Sequence, residues 1–183
     1  MLNTILGSLS GGVAAATASY ESIASATGTG SSGTITFSSI PSTYVALQLR
    51  MNWIATVSGN GCLLQINGDT GSNYDNHWLR GNGTAASASQ GINTAANYLP
   101  TIITGSDTTY ATTSIVDIHN YQSTTQYKTI RSFGGLDKNG SGEVVLVSGL
   151  WRNTNAINSL QIYMGSGSFT TGSTFALYGI KGA

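Results

Sequence analysis

The sequence predicts an all-β protein: an antiparallel β-sandwich of jelly-roll-like form, preceded by a short helical or extended N-terminal anchor. Three observations lead to this fold class. Apolar and polar residues alternate with a period of two along several short segments, as strands with one buried face require. Glycine- and asparagine-rich turn sequences separate these segments. Beyond residue 33, no segment has the periodicity of an amphipathic helix longer than one turn.

The first part of the chain differs from the rest, and we assign residues 1–33 to an anchor and linker. Residues 26–33 are rich in glycine and serine, which is typical of a linker. Nearer the start, residues 1–9 have the spacing of a two-turn helix with an apolar stripe along one face. Such a short helix is not stable alone in water, so its apolar stripe needs a surface to dock on. Two interpretations are open: a terminus folded back on its own domain, or an anchor that docks on another subunit. The residues spaced to form this stripe are Leu2, Ile5, Leu6 and Leu9.

Residues 34–183 are predicted to form the sandwich domain. The clearest strand is 44–54, where alternate residues point one way and the residues between them point the other. The residues expected on the inward face are Val45, Leu47, Leu49, Met51 and Trp53. Roughly eight strands with short turns suit a two-sheet jelly roll. The other predicted strands are 34–37, 62–66, 98–104, 114–121, 127–133, 143–152, 159–164 and 174–180.

The composition restricts the partners that this chain can have. Charged residues make up only 8%, against about 25% in ordinary soluble domains. Lys+Arg and Asp+Glu are both 7, so the formal net charge is zero. Because binding to nucleic acid depends on basic side chains that displace counterions, we expect no nucleic-acid partner. No apolar run approaches the ~20 residues that span a bilayer, so we expect no membrane partner. A neutral, hydroxyl-rich surface favours close contact with other proteins.

Residues 67–78 carry the densest set of polar and aromatic side chains. Asp69, Asn73 and Asp75 are oxygen ligands at short spacing, which faintly matches a calcium loop. However, the glutamate that closes an EF-hand loop is missing, and Gly71 stands where a ligand is needed. The favoured interpretation is a turn in which Asp and Asn side chains cap backbone N–H groups. We therefore expect no metal site and no cofactor.

The sequence contains no motif for catalysis. It lacks a Gly-x-Ser-x-Gly elbow, a His-Glu-x-x-His pair and a phosphate-binding loop. Asp69 and Asp75 are poor candidates for an acid/base pair, because nothing nearby is set to raise the pKa of either carboxyl. With one cysteine, Cys62 in an apolar run, the chain has no disulfide framework and no multi-cysteine zinc site. We predict no catalytic residues and no enzymatic activity.

A carbohydrate-binding module is the alternative class of function. Aromatic rings stack on sugar rings, while carboxylates and amides bond the hydroxyl groups. Trp53 follows the inward phase of its strand and is expected in the core, which leaves Trp78 as the better exposed aromatic candidate. A glycan surface would then comprise Asp69, Asn73, Asp75 and Trp78.

Several short motifs along the chain, taken together, resemble one family. They are Phe-x-x-Ile-Pro at 37–41, Asn-Gly-Asp-x-x-x-Asn-Tyr at 67–74, Ile-His-Asn-Tyr at 118–121 with Lys128, and Leu-Tyr-Gly-Ile at 177–180. Between about residues 20 and 180, this series is similar to a group of small virion structural proteins of tailed phages, of the minor tail or head decoration type.

The resemblance implies a β-rich, multimeric module on the outside of a phage particle, with no catalytic residues to transfer. We therefore expect a non-enzymatic structural protein located in the virion, a homotrimer that contacts other capsid or tail proteins through its N-terminal segment. Two placements stay open: a capsid decoration or head-fibre protein, and a tail appendage protein. The alternative is a lectin-like receptor-recognition module of a tail fibre, which would bind a host glycan.

Overall fold

Twelve β-strands and no helix make up the described part of the chain, which the computed structural model gives as residues 19–98 and 107–182. All strand pairs are antiparallel, and the strands form two sheets. The predicted fold class, an all-β antiparallel sandwich, is confirmed. The strands are β1 Tyr20–Thr27, β2 Thr34–Phe37, β3 Ala46–Trp53, β4 Cys62–Ile66, β5 Tyr74–Gly81, β6 Ala86–Thr94, β7 Asn97–Tyr98, β8 Thr112–His119, β9 Lys128–Asp137, β10 Gly142–Trp151, β11 Leu160–Met164 and β12 Thr174–Ile180.

The two sheets differ in size. The large sheet has eight strands in the order β1-β12-β3-β8-β9-β10-β5-β6, and the small sheet has four in the order β2-β11-β4-β7. Three strand pairs are nested along the chain: β3 with β12, β4 with β11 and β5 with β10. Successive nested pairs alternate between the sheets, which gives the sandwich its rolled character. The β8–β9 pair lies in the large sheet between β3 and β10.

The apolar core lies between the sheets. Alternation places Leu47, Leu49, Met51 and Trp53 of β3 on the inward face, as the sequence predicted, and each is at most 3% exposed. The prediction was wrong for Val45, which precedes β3 and is 51% exposed. Cys62 is also fully buried, and burial raises the pKa of its thiol. The small sheet contributes residues that include Leu64, Ile66, Leu160 and Ile162 to the same cluster.

Three strands were not predicted from the sequence, and each has a weak apolar pattern. β1 lies at the edge of the large sheet, where a register shift between Ser22 and Ala24 breaks its alternation. β5 carries mostly polar residues, and β6 is an exposed edge strand of mainly small and polar residues. The first described strand, β1, thus lies inside the region that we assigned to the anchor and linker. The predicted strand 98–104 is described only at Tyr98, and Leu2, Ile5, Leu6 and Leu9 lie outside the described residues.

Candidate functional site

Asp69 is the centre of a hydrogen-bonded turn. Its Oδ1 accepts from the Gly71 backbone N–H at 2.9 Å, and its Oδ2 accepts from Trp151 Nε1 at 2.8 Å. The Asn73 amide donates to both carboxylate oxygens, at 3.1 and 2.9 Å. Burial opposes ionisation of Asp69, but the hydrogen bonds from Trp151, Asn73 and Gly71 outweigh it and lower the pKa of the carboxyl. This arrangement is the backbone-capping turn that the sequence favoured.

The rest of the Asn-Gly-Asp-x-x-x-Asn-Tyr motif also makes structural contacts. Asn67 has a φ of 53°, in the left-handed region that Asn tolerates in turns. Its amide donates to the Ala156 carbonyl at 2.8 Å, and its Oδ1 accepts from the backbone N–H groups of residues 158 and 159. The Tyr74 hydroxyl accepts from the Ile66 N–H at 2.9 Å and donates to the Asp69 carbonyl at 3.1 Å. The motif therefore fastens the β4–β5 turn to the β10–β11 connection.

Three further motifs meet at one corner of the sandwich. The Tyr121 hydroxyl accepts from the Tyr44 backbone N–H at 3.2 Å and donates to the Pro41 carbonyl. The Tyr44 ring lies directly over Gly179, so close that a β-carbon at this glycine would overlap the ring. The Phe-x-x-Ile-Pro, Ile-His-Asn-Tyr and Leu-Tyr-Gly-Ile motifs are thus parts of a single packing arrangement.

The buried side chain of Lys128 connects two loops through hydrogen bonds. Its side chain is fully buried, and its ammonium donates to the backbone carbonyls of Gln126 at 2.7 Å and Thr154 at 3.0 Å. The ring of Trp151 lies 5.9 Å from the same nitrogen. Burial lowers the pKa of Lys128, because it disfavours the charged form. The carbonyl oxygens compensate the charge, which makes this lysine a structural element of the fold.

The four candidate ligand residues do not converge on one surface. Asp69 and Asn73 are adjacent, but their polar groups are occupied by the bonds within the turn. Asp75 points outward from β5, where its Oδ2 lies 3.3 Å from Arg152 Nε. Trp78 lies on the opposite face of β5 and is half-buried. The geometry therefore does not favour a glycan surface built from this set.

Residues 19–98 and 107–182 contain neither a group of three metal-ligating side chains nor a helix able to cross a bilayer. Within those ranges, no three His, Cys, Asp or Glu side chains are grouped closely enough to hold a metal ion. No helix in the same part of the chain is long and apolar enough to span a bilayer. Several basic side chains are already engaged in ion pairs: Arg80 with Glu143, Lys138 with Asp107, Arg152 with Asp75 and Lys181 with Glu21.

A row of exposed apolar side chains crosses the outward face of the large sheet. Ile115, Phe133, Leu146 and Leu79 stand in direct register on β8, β9, β10 and β5, and are 41%, 55%, 50% and 55% exposed. We call these four residues the apolar row. Adjacent strands lie about 4.8 Å apart, so the row is roughly 14 Å long. This feature is the largest departure from an ordinary solvated sheet face, which alternation normally makes polar.

The apolar row lies between a polar row and a depression. On one side, Asp117, Arg131, Ser148 and His77 follow each other in register on the same four strands. The Gln48 amide of β3 donates to Asp117 Oδ1 at 2.8 Å. On the other side, Gly135 leaves a depression of about 300 Å³ bounded by Ile115, Phe133 and Val144. Val144 is itself 48% exposed.

The sequence contained a signal for this face that periodicity alone did not reveal. Residues 144–147 are Val-Val-Leu-Val, an apolar run on both phases of β10. Strands buried on both faces have such continuous runs, whereas a half-solvated strand alternates. The run therefore indicates that the outward face of β10 is suited to being covered.

No family model matches the chain, and no curated protein sequence matches it.

Proposed function

We propose that this chain is a non-enzymatic structural protein of a tailed-phage virion, displayed on the surface of the particle. It would act as a capsid decoration or head-fibre protein, or as a tail appendage protein, and contact other virion proteins. The motifs that resemble this family carry the assignment, and the apolar row supplies a surface suited to protein contacts. The proposal concerns assembly rather than chemistry.

The use of the motif residues supports a structural role. Asp69, Lys128 and Tyr121 are the groups in these motifs that most resemble reactive ones, yet each is occupied by hydrogen bonds within the fold. A catalytic acid, base or nucleophile needs access to a substrate. These residues instead connect loops of the two sheets, as a rigid module on a large assembly requires.

A direct test is the protein content of purified particles. Phage particles from a genome that encodes this chain should contain it in many copies, which quantitative mass spectrometry measures. A chain that is abundant in infected cells but absent from the purified particles contradicts the proposal.

Docking through the N-terminal segment gives a second testable prediction. Replacing Leu2, Ile5, Leu6 and Leu9 with serine should reduce incorporation at least about tenfold, because each buried aliphatic side chain contributes roughly 1.5–3 kcal/mol. Incorporation is measured by mass spectrometry of particles assembled with the variant.

The matched control changes the intervening positions of the same segment. Serine at Asn3, Thr4 and Gly7 keeps the four apolar residues and should leave incorporation unchanged. Both variants should melt at the wild-type temperature, because every described strand of the sandwich lies at or beyond Tyr20. Normal incorporation of the variant without the apolar side chains, or of a chain lacking residues 1–12, would refute the anchor.

A further inference from the structure

We propose that the outward face of the large sheet binds the same face of a second copy of this chain, forming a two-fold dimer centred on the apolar row. This inference does not depend on the virion assignment, because it concerns the purified protein in solution.

A two-fold axis can bring the apolar row of one copy against the apolar row of a second copy. A two-fold axis parallel to the strands, between β9 and β10, exchanges β9 with β10 and β8 with β5. Phe133 then faces Leu146 of the second copy, and Ile115 faces its Leu79. Two sheets packed in this way lie about 10 Å apart, with side chains of the two faces in contact. The four exposed apolar residues of each copy would thus be covered by the four of the other.

The depression beside the row fits the same axis. Val144 of β10 and Gly135 of β9 are register partners in one sheet. Exchange of β9 and β10 brings Val144 of the second copy over Gly135 of the first, where the depression of about 300 Å³ lies. The protruding side chain therefore meets the vacant space, and the symmetry provides this contact twice.

The charges on the polar row agree with this arrangement. The axis places Asp117 of one copy opposite His77 of the other, and Arg131 opposite Ser148. An imidazole N–H can donate to a carboxylate in either protonation state of the ring. Along the polar row as described on these four strands, like charges do not face each other, and like-charge opposition is the main electrostatic obstacle to a contact between identical surfaces.

The area that the two copies share lies at the lower end of the range for specific interfaces. With the axis between β9 and β10, the six neighbouring strands from β3 to β6 face the second copy and span roughly 24 Å. Four outward rows of side chains span roughly 20 Å along these strands. The resulting footprint of roughly 480 Å² per copy, about 960 Å² for the two copies together, is close to the ~1,000 Å² that a small specific interface buries in total. An apolar centre surrounded by polar side chains is also the usual composition of such an interface.

The two-fold dimer differs from the trimer that the family resemblance led us to expect. A trimer needs a head-to-tail contact between two different surfaces, whereas an isologous dimer uses one surface that matches itself. The outward face has the second property, so the mass of the protein in solution distinguishes the two.

The first test is the mass of the full-length protein by light scattering and sedimentation. The wild type should have about twice the subunit mass of 18.9 kDa at micromolar concentration. Leu146→Glu should raise the dimer dissociation constant about 30-fold or more, since it places a charge opposite Phe133. Val45→Glu is the matched control: its side chain is 51% exposed, against 50% for Leu146, and lies outside the apolar row. It should stay dimeric.

A second test fixes the geometry. Chains with Ile115→Cys, mixed with chains with Leu79→Cys, should be joined by a short thiol-specific cross-linker more efficiently than either variant alone. The native Cys62 does not compete, because it is fully buried. Val45→Cys mixed with Leu79→Cys should give no such product.

The outcomes separate the dimer from other occupants of this face. A dimer that Leu146→Glu dissociates without lowering the melting temperature, together with the Ile115–Leu79 cross-link, supports the inference. Three results would overturn it: a monomer at all concentrations up to about 100 μM, a trimeric mass, or an oligomer that Leu146→Glu leaves intact. An oligomer that only deletion of residues 1–12 dissociates would assign the contact to the N-terminal segment instead.

Discussion

Replacing Gly179 with alanine is expected to lower the free energy of unfolding by about 3 kcal/mol, because the new methyl group overlaps the Tyr44 ring. The ring cannot easily retreat, since Tyr44 is only 7% exposed and its backbone N–H is held by the Tyr121 hydroxyl. For a chain of this length, such a loss lowers the melting temperature by roughly 6–12 °C. Thermal and denaturant unfolding, followed by circular dichroism, measure both quantities.

Gly172 provides the matched control for this substitution. A β-carbon at Gly172 meets nothing within 4 Å, so Gly172→Ala should change stability by no more than about 0.5 kcal/mol. Combining Gly179→Ala with Tyr44→Leu should cost less than the sum of the two single changes, because the smaller side chain gives up the contested space. Equal melting temperatures for the two alanine variants would show that the corner formed by the three motifs is not tightly packed.

The strands that could be predicted are those whose burial leaves a pattern in the sequence. Segment 44–54 alternates strictly and became β3, because one of its faces lies in the core. β6 has the sequence Ala-Ser-Ala-Ser-Gln-Gly-Ile-Asn-Thr and owes its conformation to pairing with β5. A strand stabilised by a neighbour's backbone rather than by its own side chains leaves little trace in its sequence.

The candidate ligand residues illustrate the same limit for side chains. The spacing of Asp69 and Asn73 correctly indicated a capped turn, because both partners of that bond lie in one short segment. The third partner, Trp151, is 82 positions away, and only the fold brings it to the carboxylate. Likewise, the apolar row depends on the register of four strands, which no single segment encodes. Local chemistry was predictable, whereas surfaces assembled from distant strands were not.

Replacing Asp69 with asparagine is expected to cost about 2–3 kcal/mol of unfolding free energy at neutral pH. The carboxylate only accepts, whereas an amide of the same size presents one acceptor and one donor group. Its NH₂ must therefore oppose either the Trp151 N–H or the Gly71 backbone N–H, which leaves a donor unsatisfied next to a lost charge-assisted bond. Asp137→Asn removes a charge from an exposed strand end and should change stability by less than about 0.5 kcal/mol. Denaturant unfolding of the three proteins measures these differences.

The pH dependence of the same variant tests whether the ionised carboxylate is what stabilises the turn. Hydrogen bonds hold the pKa of Asp69 below its usual value in the folded chain, so the unfolded chain binds the proton more readily. The stabilisation is complete above the unfolded pKa of about 3.9 and is lost as the pH falls through the lower, folded value. The difference in unfolding free energy between the wild type and Asp69→Asn should therefore narrow as the pH drops below about 4.

Part of the acid sensitivity must persist in the variant, because the backbone N–H groups of Tyr110 and Thr109 lower the pKa of Asp107 to about 2. A deficit that is constant from pH 7 to pH 2 would instead assign the role of Asp69 to its shape rather than its charge.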